Sequence, residues 1–181
     1  MAVTQITVRR ARTRDVAHIR RLIDCFSDEG RVLGKSTVNL YEDIQEFCVA
    51  ELGEGTERTV VGCGALHVLW EDLAEVRTVA VDPAAQGRGV GHSIVAALLD
   101  RARELGVRRV FCLTFETDFF ARHGFEPIQG APVSPRVYEE LLRSYDEGVA
   151  EFLDLERVKP NTLGNTRMLV HLNEPGTPRM R

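Results

Sequence analysis

Residues 78–92 read Thr78-Val79-Ala80-Val81-Asp82-Pro83-Ala84-Ala85-Gln86-Gly87-Arg88-Gly89-Val90-Gly91-His92, and the chain continues through SIVAALLDRAREL to Leu105. The first four residues are apolar or β-branched and end a strand, which Asp82-Pro83 breaks. From Val90 the apolar period changes. Ile94, Val95, Leu98, Leu99, Ala102 and Leu105 recur at helical spacing, and Gly106 stands where a helix closes. Strand, glycine-rich turn and helix in that order point backbone N–H groups out of a helix N-terminus, where they can cradle phosphate oxygens with the helix dipole assisting. Gly89 and Gly91 let such a ligand come close. The spacing separates this loop from two other phosphate binders: a dinucleotide fingerprint needs a third glycine where His92 stands, and a P-loop needs a Gly-Lys-Ser/Thr that is absent. Arg88 reads as a phosphate contact or as a solvated side chain. The alternative for the whole loop is a tight turn whose glycines serve only the backbone.

Outward from this loop, the pattern predicts a strand over 3–9, then an amphipathic helix over 13–27 with Thr13 as its N-cap and Val16, Ile19, Leu22, Ile23 and Phe26 on one face. Gly30 and Gly34 open a loop, and a short helix follows over 40–47. A strand beginning at Cys48 runs to the turn at Gly53-Glu54-Gly55. Two long antiparallel strands, 59–70 and 75–81, are joined by a hairpin at Glu71-Asp72-Leu73. After the helix over 90–105 come a buried strand over 107–115, a short helix over 118–123, a turn at Gly124, a proline-rich connection over 127–135, a helix over 136–145 and a strand over 168–172. Residues 174–181 read as a loose tail, and the architecture is mixed α/β.

At 181 residues, 44% hydrophobic and 28% charged, the chain can bury a sizeable core without staples, and one domain is expected. A net charge of -4 argues against nucleic acid or membrane held by bulk electrostatics, so an anionic ligand must be held by local donors. Cys25, Cys48, Cys63 and Cys112 show no CxxC pairing and sit in apolar runs. They read as buried free thiols in a reducing compartment, with no metal site. The first residues lack an apolar signal region, and no run approaches the ~20 apolar residues of a membrane span, so a cytoplasmic location is expected. Arg9, Arg10, Arg12 and Arg14 are read as exposed side chains at a strand-to-helix junction.

The spacing Gln86-x-x-Gly89-x-Gly91, the strand before it and Gly124-Phe125 after the later short helix resemble the Q/R-x-x-G-x-G/A signature of the GNAT acyltransferase superfamily. The resemblance implies a single domain over 1–173 with a mixed, largely antiparallel sheet flanked by helices, using acetyl-CoA as co-substrate. It implies further that Gln86, Gly87, Arg88, Gly89, Val90, Gly91 and His92 receive the pyrophosphate of coenzyme A, and that backbone groups of Val79, Ala80 and Val81 meet the pantetheine arm. Many members place a tyrosine before the late Gly-Phe to protonate the leaving thiolate. Phe120 stands there instead and is expected to pack against the pantetheine. A thiol of pKa ~8.5 leaves without strong acid help, so the chemistry tolerates the change.

Gly62 to Trp70, Leu113-Thr114-Phe115-Glu116-Thr117 and Asn165-Thr166-Arg167 resemble N-acetylglutamate synthases, in the short stand-alone bacterial form, over residues 3–173. That implies an amino-acid N-acetyltransferase acting on L-glutamate, with L-glutamine as a further acceptor, at the first step of arginine biosynthesis. By the same resemblance Asn165, Thr166 and Arg167 contribute to the acceptor pocket, and Leu113 and Thr114 add backbone contacts. Longer relatives carry a kinase domain for which this chain has no room, so their feedback site is not carried over.

Two carboxylates on the acceptor call for cations. Arg77 lies two residues after Glu75, on the same face of a regular strand, and is a candidate clamp or one half of a surface ion pair. Lys35, in a Gly-flanked loop, is a second candidate. Glu75 is the candidate general base, in the strand position where several GNAT enzymes keep a glutamate. Its alternative is a partner for Arg77, which would lower its basicity. His67 and His123 are alternative bases because imidazole titrates near neutrality. Two other functions stay open: a non-catalytic acetyl-CoA or amino-acid sensor, suggested by the missing tyrosine, and acetylation of a protein N-terminus or another amine. The long central strands leave open a homodimer that extends the sheet.

Overall fold

A computed structural model describes residues 5–27, 35–55, 57–156 and 164–172. Among these, seven strands form one sheet in the order β1-β2-β3-β4-β5-β7-β6: β1 (Ile6–Arg10), β2 (Phe47–Leu52), β3 (Thr59–Trp70), β4 (Leu73–Val81), β5 (Arg109–Thr114), β6 (Glu126–Pro127) and β7 (Thr166–His171). The helices are α1 (Val16–Ser27), α2 (Thr37–Glu42), α3 (Val90–Glu104), α4 (Thr117–Ala121), α5 (Pro135–Leu141) and α6 (Glu147–Phe152). β4 and β5 pair in parallel, and the pairs β1–β2, β2–β3, β5–β7 and β6–β7 are antiparallel. The predicted hairpin is present, as a two-residue turn at Glu71–Asp72. The chain divides into two compact units, one of Met1–His67 with Val76–Arg101 and one of Val68–Glu75 with Ala102–Arg181.

In the first unit α1 buries Val16, Ile19, Leu22 and Ile23 against Leu40, Phe47, Val49, Val60, Cys63, Ala65 and Ala80. Each such large side chain removed from water is worth about 1.5–3 kcal/mol. α3 lies close on β3 because Gly62 and Gly64 present no side chain there. A Cβ on Gly64 would stand 2.7 Å from Cγ2 of Ile94 and 3.1 Å from Cδ1 of Leu98. The arginine cluster is not simply exposed: Arg9 donates to Asp15 at 2.7 Å and to Glu51 at 2.6 Å, and Asp15 also accepts the backbone N–H of Arg12 at 2.7 Å. The Arg9 guanidinium holds the Asp15 carboxyl below the usual range. A depressed acid stabilises the fold above its unfolded pKa, and that contribution is lost as pH falls through the folded value.

In the second unit Leu69, Leu73, Phe111, Leu141, Val149, Phe152, Leu153 and Leu169 form the core, with Phe111 and Phe152 edge to face at 5.4 Å. Asp72 ties the start of β5 to the hairpin. Its carbonyl accepts the N–H groups of Arg108 and Arg109, and its carboxylate pairs with Arg109 at 3.0 Å.

Several elements differ from the sequence reading. The helix predicted from Thr13 begins as a 3-10 turn at Thr13–Asp15 and becomes α-helical at Val16, because Asp15 folds back onto the Arg12 N–H. The helix predicted over 40–47 is α2, started early by Ser36, whose hydroxyl accepts the Asn39 N–H at 3.3 Å, and it is followed by a 3-10 turn at Ile44–Glu46. Phe47 belongs to β2, opposite Ala65. The helix predicted over 136–145 starts at its Ser134 cap and stops at Leu141, and α6, capped by Asp146, is a further helix. The proline-rich stretch begins in β6, while Leu105 and Phe115 are exposed rather than core. Cys48, Cys63 and Cys112 are buried free thiols, and burial pushes the first two up to about 12, but Cys25 is exposed. β3 and β4 lie inside the strand order, and β4 pairs with β5 only over Leu73–Glu75. The edges are β1 and β6. The Gly30 and Gly34 loop and the 174–181 tail lie outside the described residues.

Candidate active site

Asp82 turns the chain out of β4: its N–H reaches the Val61 carbonyl at 2.8 Å, and its side chain caps Ala84 at 3.0 Å. Just upstream, Thr78 has φ +57° within β4. A β-branched residue in that region is strained by roughly 1–3 kcal/mol, and such strain persists where the surroundings hold it. The Thr78 carbonyl accepts a bond from the Cys63 thiol at 3.7 Å. Gln86 donates to the Val81 carbonyl at 3.4 Å, folding the loop against the strand it leaves.

Gly87 and Gly89 have φ +73° and +84°, a region that side-chain-bearing residues avoid. The Gly89 carbonyl accepts both the backbone N–H and the hydroxyl of Ser93, at 3.0 and 3.1 Å, so Gly89 ends the loop and α3 begins. The first N–H groups of a helix have no partner four residues back, and here they include those of Val90 and Gly91. Val90 is buried and anchors this end of the helix, whereas Gln86, Gly87 and Arg88 are exposed. The donor set fits a pyrophosphate: backbone N–H groups at a helix N-terminus, with space where two glycines lack side chains. Among the described residues no group of three His, Cys, Asp or Glu is placed to hold a metal ion, and no helix is long and apolar enough to cross a membrane.

Glu46 joins two candidate residues of the first unit. Its carboxylate meets Nδ1 of His67 at 2.6 Å and accepts from Arg77 at 3.2 Å. Arg77 is thus one half of an ion pair, but a largely buried one, with its side chain 13% exposed. His67 is held by a carboxylate, the arrangement of a positioned imidazole. Lys35 pairs with Asp43 at 2.8 Å, and its carbonyl accepts from Arg20.

In the second unit Glu75 is 5% exposed and stands opposite Phe111, the last registered pair of β4 with β5. The β5–β7 register sets Leu113 opposite Arg167 and Thr114 opposite Thr166, so two candidate acceptor segments some fifty residues apart in sequence become neighbours. Asn165 immediately precedes them. Thr114 is buried and its hydroxyl accepts the Glu116 N–H at 2.8 Å. Arg167 donates to the Phe152 carbonyl at 2.8 Å and lies 3.9 Å from Asp154, which ties β7 to the end of α6. Phe120 is buried edge-on between Phe119 and Phe125 at 5.1 and 5.2 Å, and His123 stacks tilted on Phe119.

Sequence reasoning passed over three features. Thr78 carries no signal for a left-handed conformation. Glu151 is 4% exposed on α6, and burial, with Glu147 adding, pushes its carboxyl up to about 7. Gly148 lies against Glu75. The Asp146 cap, followed by the apolar pair Val149-Ala150 and Phe152 at helical spacing, was the available sign of α6.

The acetyltransferase (GNAT) family pattern matches residues 16–126. An amino-acid acetyltransferase of Mycobacterium tuberculosis is 61% identical over 166 residues, 91% of this chain and 94% of that protein. The crystal structure of Rv2747 from Mycobacterium tuberculosis, in complex with CoA and NLQ, superposes with a TM-score of 0.88 at 60% identity, over 92% of this chain and 99% of that one. N-acetylglutamate synthase from Neisseria gonorrhoeae, complexed with coenzyme A and N-acetyl-glutamate, gives 0.73 at 25% identity over 94% of this chain, which spans 36% of that longer protein.

Proposed function

The chain belongs to the acetyltransferase (GNAT) family, and from that premise we propose that it transfers the acetyl group of acetyl-CoA to the α-amine of L-glutamate, and also of L-glutamine, as the first step of arginine biosynthesis. The observation that carries the acceptor class is the 61% identity to an amino-acid acetyltransferase over 91% of the chain. The glycine loop fits the cofactor independently of that likeness.

In this reading the N–H groups of residues 86–92 receive the pyrophosphate, the backbone of Val79, Ala80 and Val81 lies along the pantetheine, and Phe120 backs it. Bound acetyl-CoA supplies the acetyl group as a thioester. Glu75 takes the proton that the acceptor ammonium must lose before its nitrogen can bond to the acyl carbon. The carbon–sulfur bond then breaks, the nitrogen gives its second proton to water, and the thiolate takes its proton from water, since Phe120 has none to give. Leu113, Thr114, Asn165 and Thr166 border the acceptor. Arg77, Lys35 and Arg167 supply positive charge for its carboxylates, each exchanging part of its present pairing for the ligand.

Purified protein with acetyl-CoA and glutamate or glutamine should release free CoA thiol. No thiol above the blank with either acceptor refutes the reading. Acetyl-CoA binding without turnover would instead support a sensor.

A further inference from the structure

Glycine inside a helix costs backbone entropy, so it is kept for a reason. Gly148, the second residue of α6, has no conformational reason, because its φ is not among the positive ones. What excludes a side chain is space. A Cβ there would overlap Oε2 of Glu75 and stand 2.8 Å from its Cδ and 3.0 Å from Oδ1 of Asp146.

The two neighbours differ in freedom. Asp146 is fixed as the cap of α6, its Oδ1 accepting the Val149 N–H at 3.2 Å, and α6 is held again at its far end, where Arg167 donates to the Phe152 carbonyl. The Glu75 carboxylate is the end of a flexible side chain on β4. A methyl group at position 148 would therefore move the carboxylate rather than the helix.

We propose that Gly148 is a positioning residue: its missing side chain leaves the space that the Glu75 carboxylate occupies, and so sets where the base stands. The inference rests on the reading of Glu75 as base. α6, which contacts β4 through this glycine, is thereby part of the catalytic apparatus although none of its side chains reacts.

The test is Gly148→Ala in the full chain. Helix propensity alone predicts a more stable protein. The proposal expects a lower melting temperature, kcat reduced roughly 100-fold for a displacement near 1 Å, an unchanged KM for acetyl-CoA and a shifted acid limb of the kcat pH profile. In a Glu75→Ala background, where the space is vacated, Gly148→Ala should no longer lower the melting temperature. Wild-type kcat in Gly148→Ala overturns the proposal, and so does an equal loss of melting temperature in both backgrounds. That second comparison reads the contact without any turnover. If Glu75→Gln is as active as wild type, the base reading itself fails and the positioning role falls with it. If Glu75→Gln is inactive and the coupling is absent, only the role of Gly148 fails.

Discussion

Substituting Gly64 by alanine should show how tightly α3, and with it the glycine loop before it, is seated on β3. The new methyl carbon would stand 2.7 Å from Cγ2 of Ile94, 3.1 Å from Cδ1 of Leu98 and 3.5 Å from Cγ2 of Val79. Carbon atoms rest at about 3.5–4.0 Å, so the first contact is too short by roughly 1 Å. Cγ2 is the branch methyl of a β-branched side chain whose χ1 is nearly fixed in a helix, so it cannot swing aside. The helix must lift or the core must distort, and overpacking of this kind costs about 1–3 kcal/mol. For a chain of this length that lowers Tm by roughly 2–12 °C. Thermal denaturation with and without CoA is the assay, and the stabilisation given by CoA should shrink as the start of α3 shifts. Ile94→Leu removes the branch methyl at nearly constant volume, so in that background Gly64→Ala should cost less, whereas Ile94→Val keeps the methyl and should give no relief. A melting temperature at or above wild type for Gly64→Ala, or equal losses in the Leu and Val backgrounds, refutes the packing argument.

Glu75→Gln should lower kcat by about 100-fold or more while CoA still raises the melting temperature as in wild type, because a general base acts on the proton and not on the cofactor. Gly89→Ala forces a side chain into a positive φ at roughly 1–2 kcal/mol, and it should weaken CoA binding measured by calorimetry more than it lowers Tm. Glu151 is an acid whose folded pKa, about 7, lies above the ordinary 4.5, so the native state binds its proton more tightly and stability falls as pH rises from 4.5 to 7. Glu151→Gln should therefore stabilise the protein by roughly 1–3 kcal/mol at pH 8 and leave it unchanged at pH 4 in denaturant titrations, and equal stability at pH 8 would contradict the burial effect.

The stretch from Thr59 to Glu104 was legible because its signals are local. β3 has the predicted bounds, and α3 starts at Val90 as its apolar period requires, one residue after a glycine that only the loop geometry needs. Helix ends were less legible where a cap decided them. Ser36, Ser134 and Asp146 each start a helix from a position that periodicity alone does not mark.

By itself, the sequence determined the alternation of elements and the glycine turn that joins β4 to α3, since spacing, turn residues and hydrophobic period act over a few residues along the chain. The tertiary structure alone decided what lies side by side. The β5–β7 register sets Thr114 opposite Thr166, Glu46 joins His67 to Arg77, and Gly148 faces Glu75 across 73 positions of sequence. Such contacts depend on strand register and on where a distant helix settles, which the packing of the whole core selects and no short window of residues encodes.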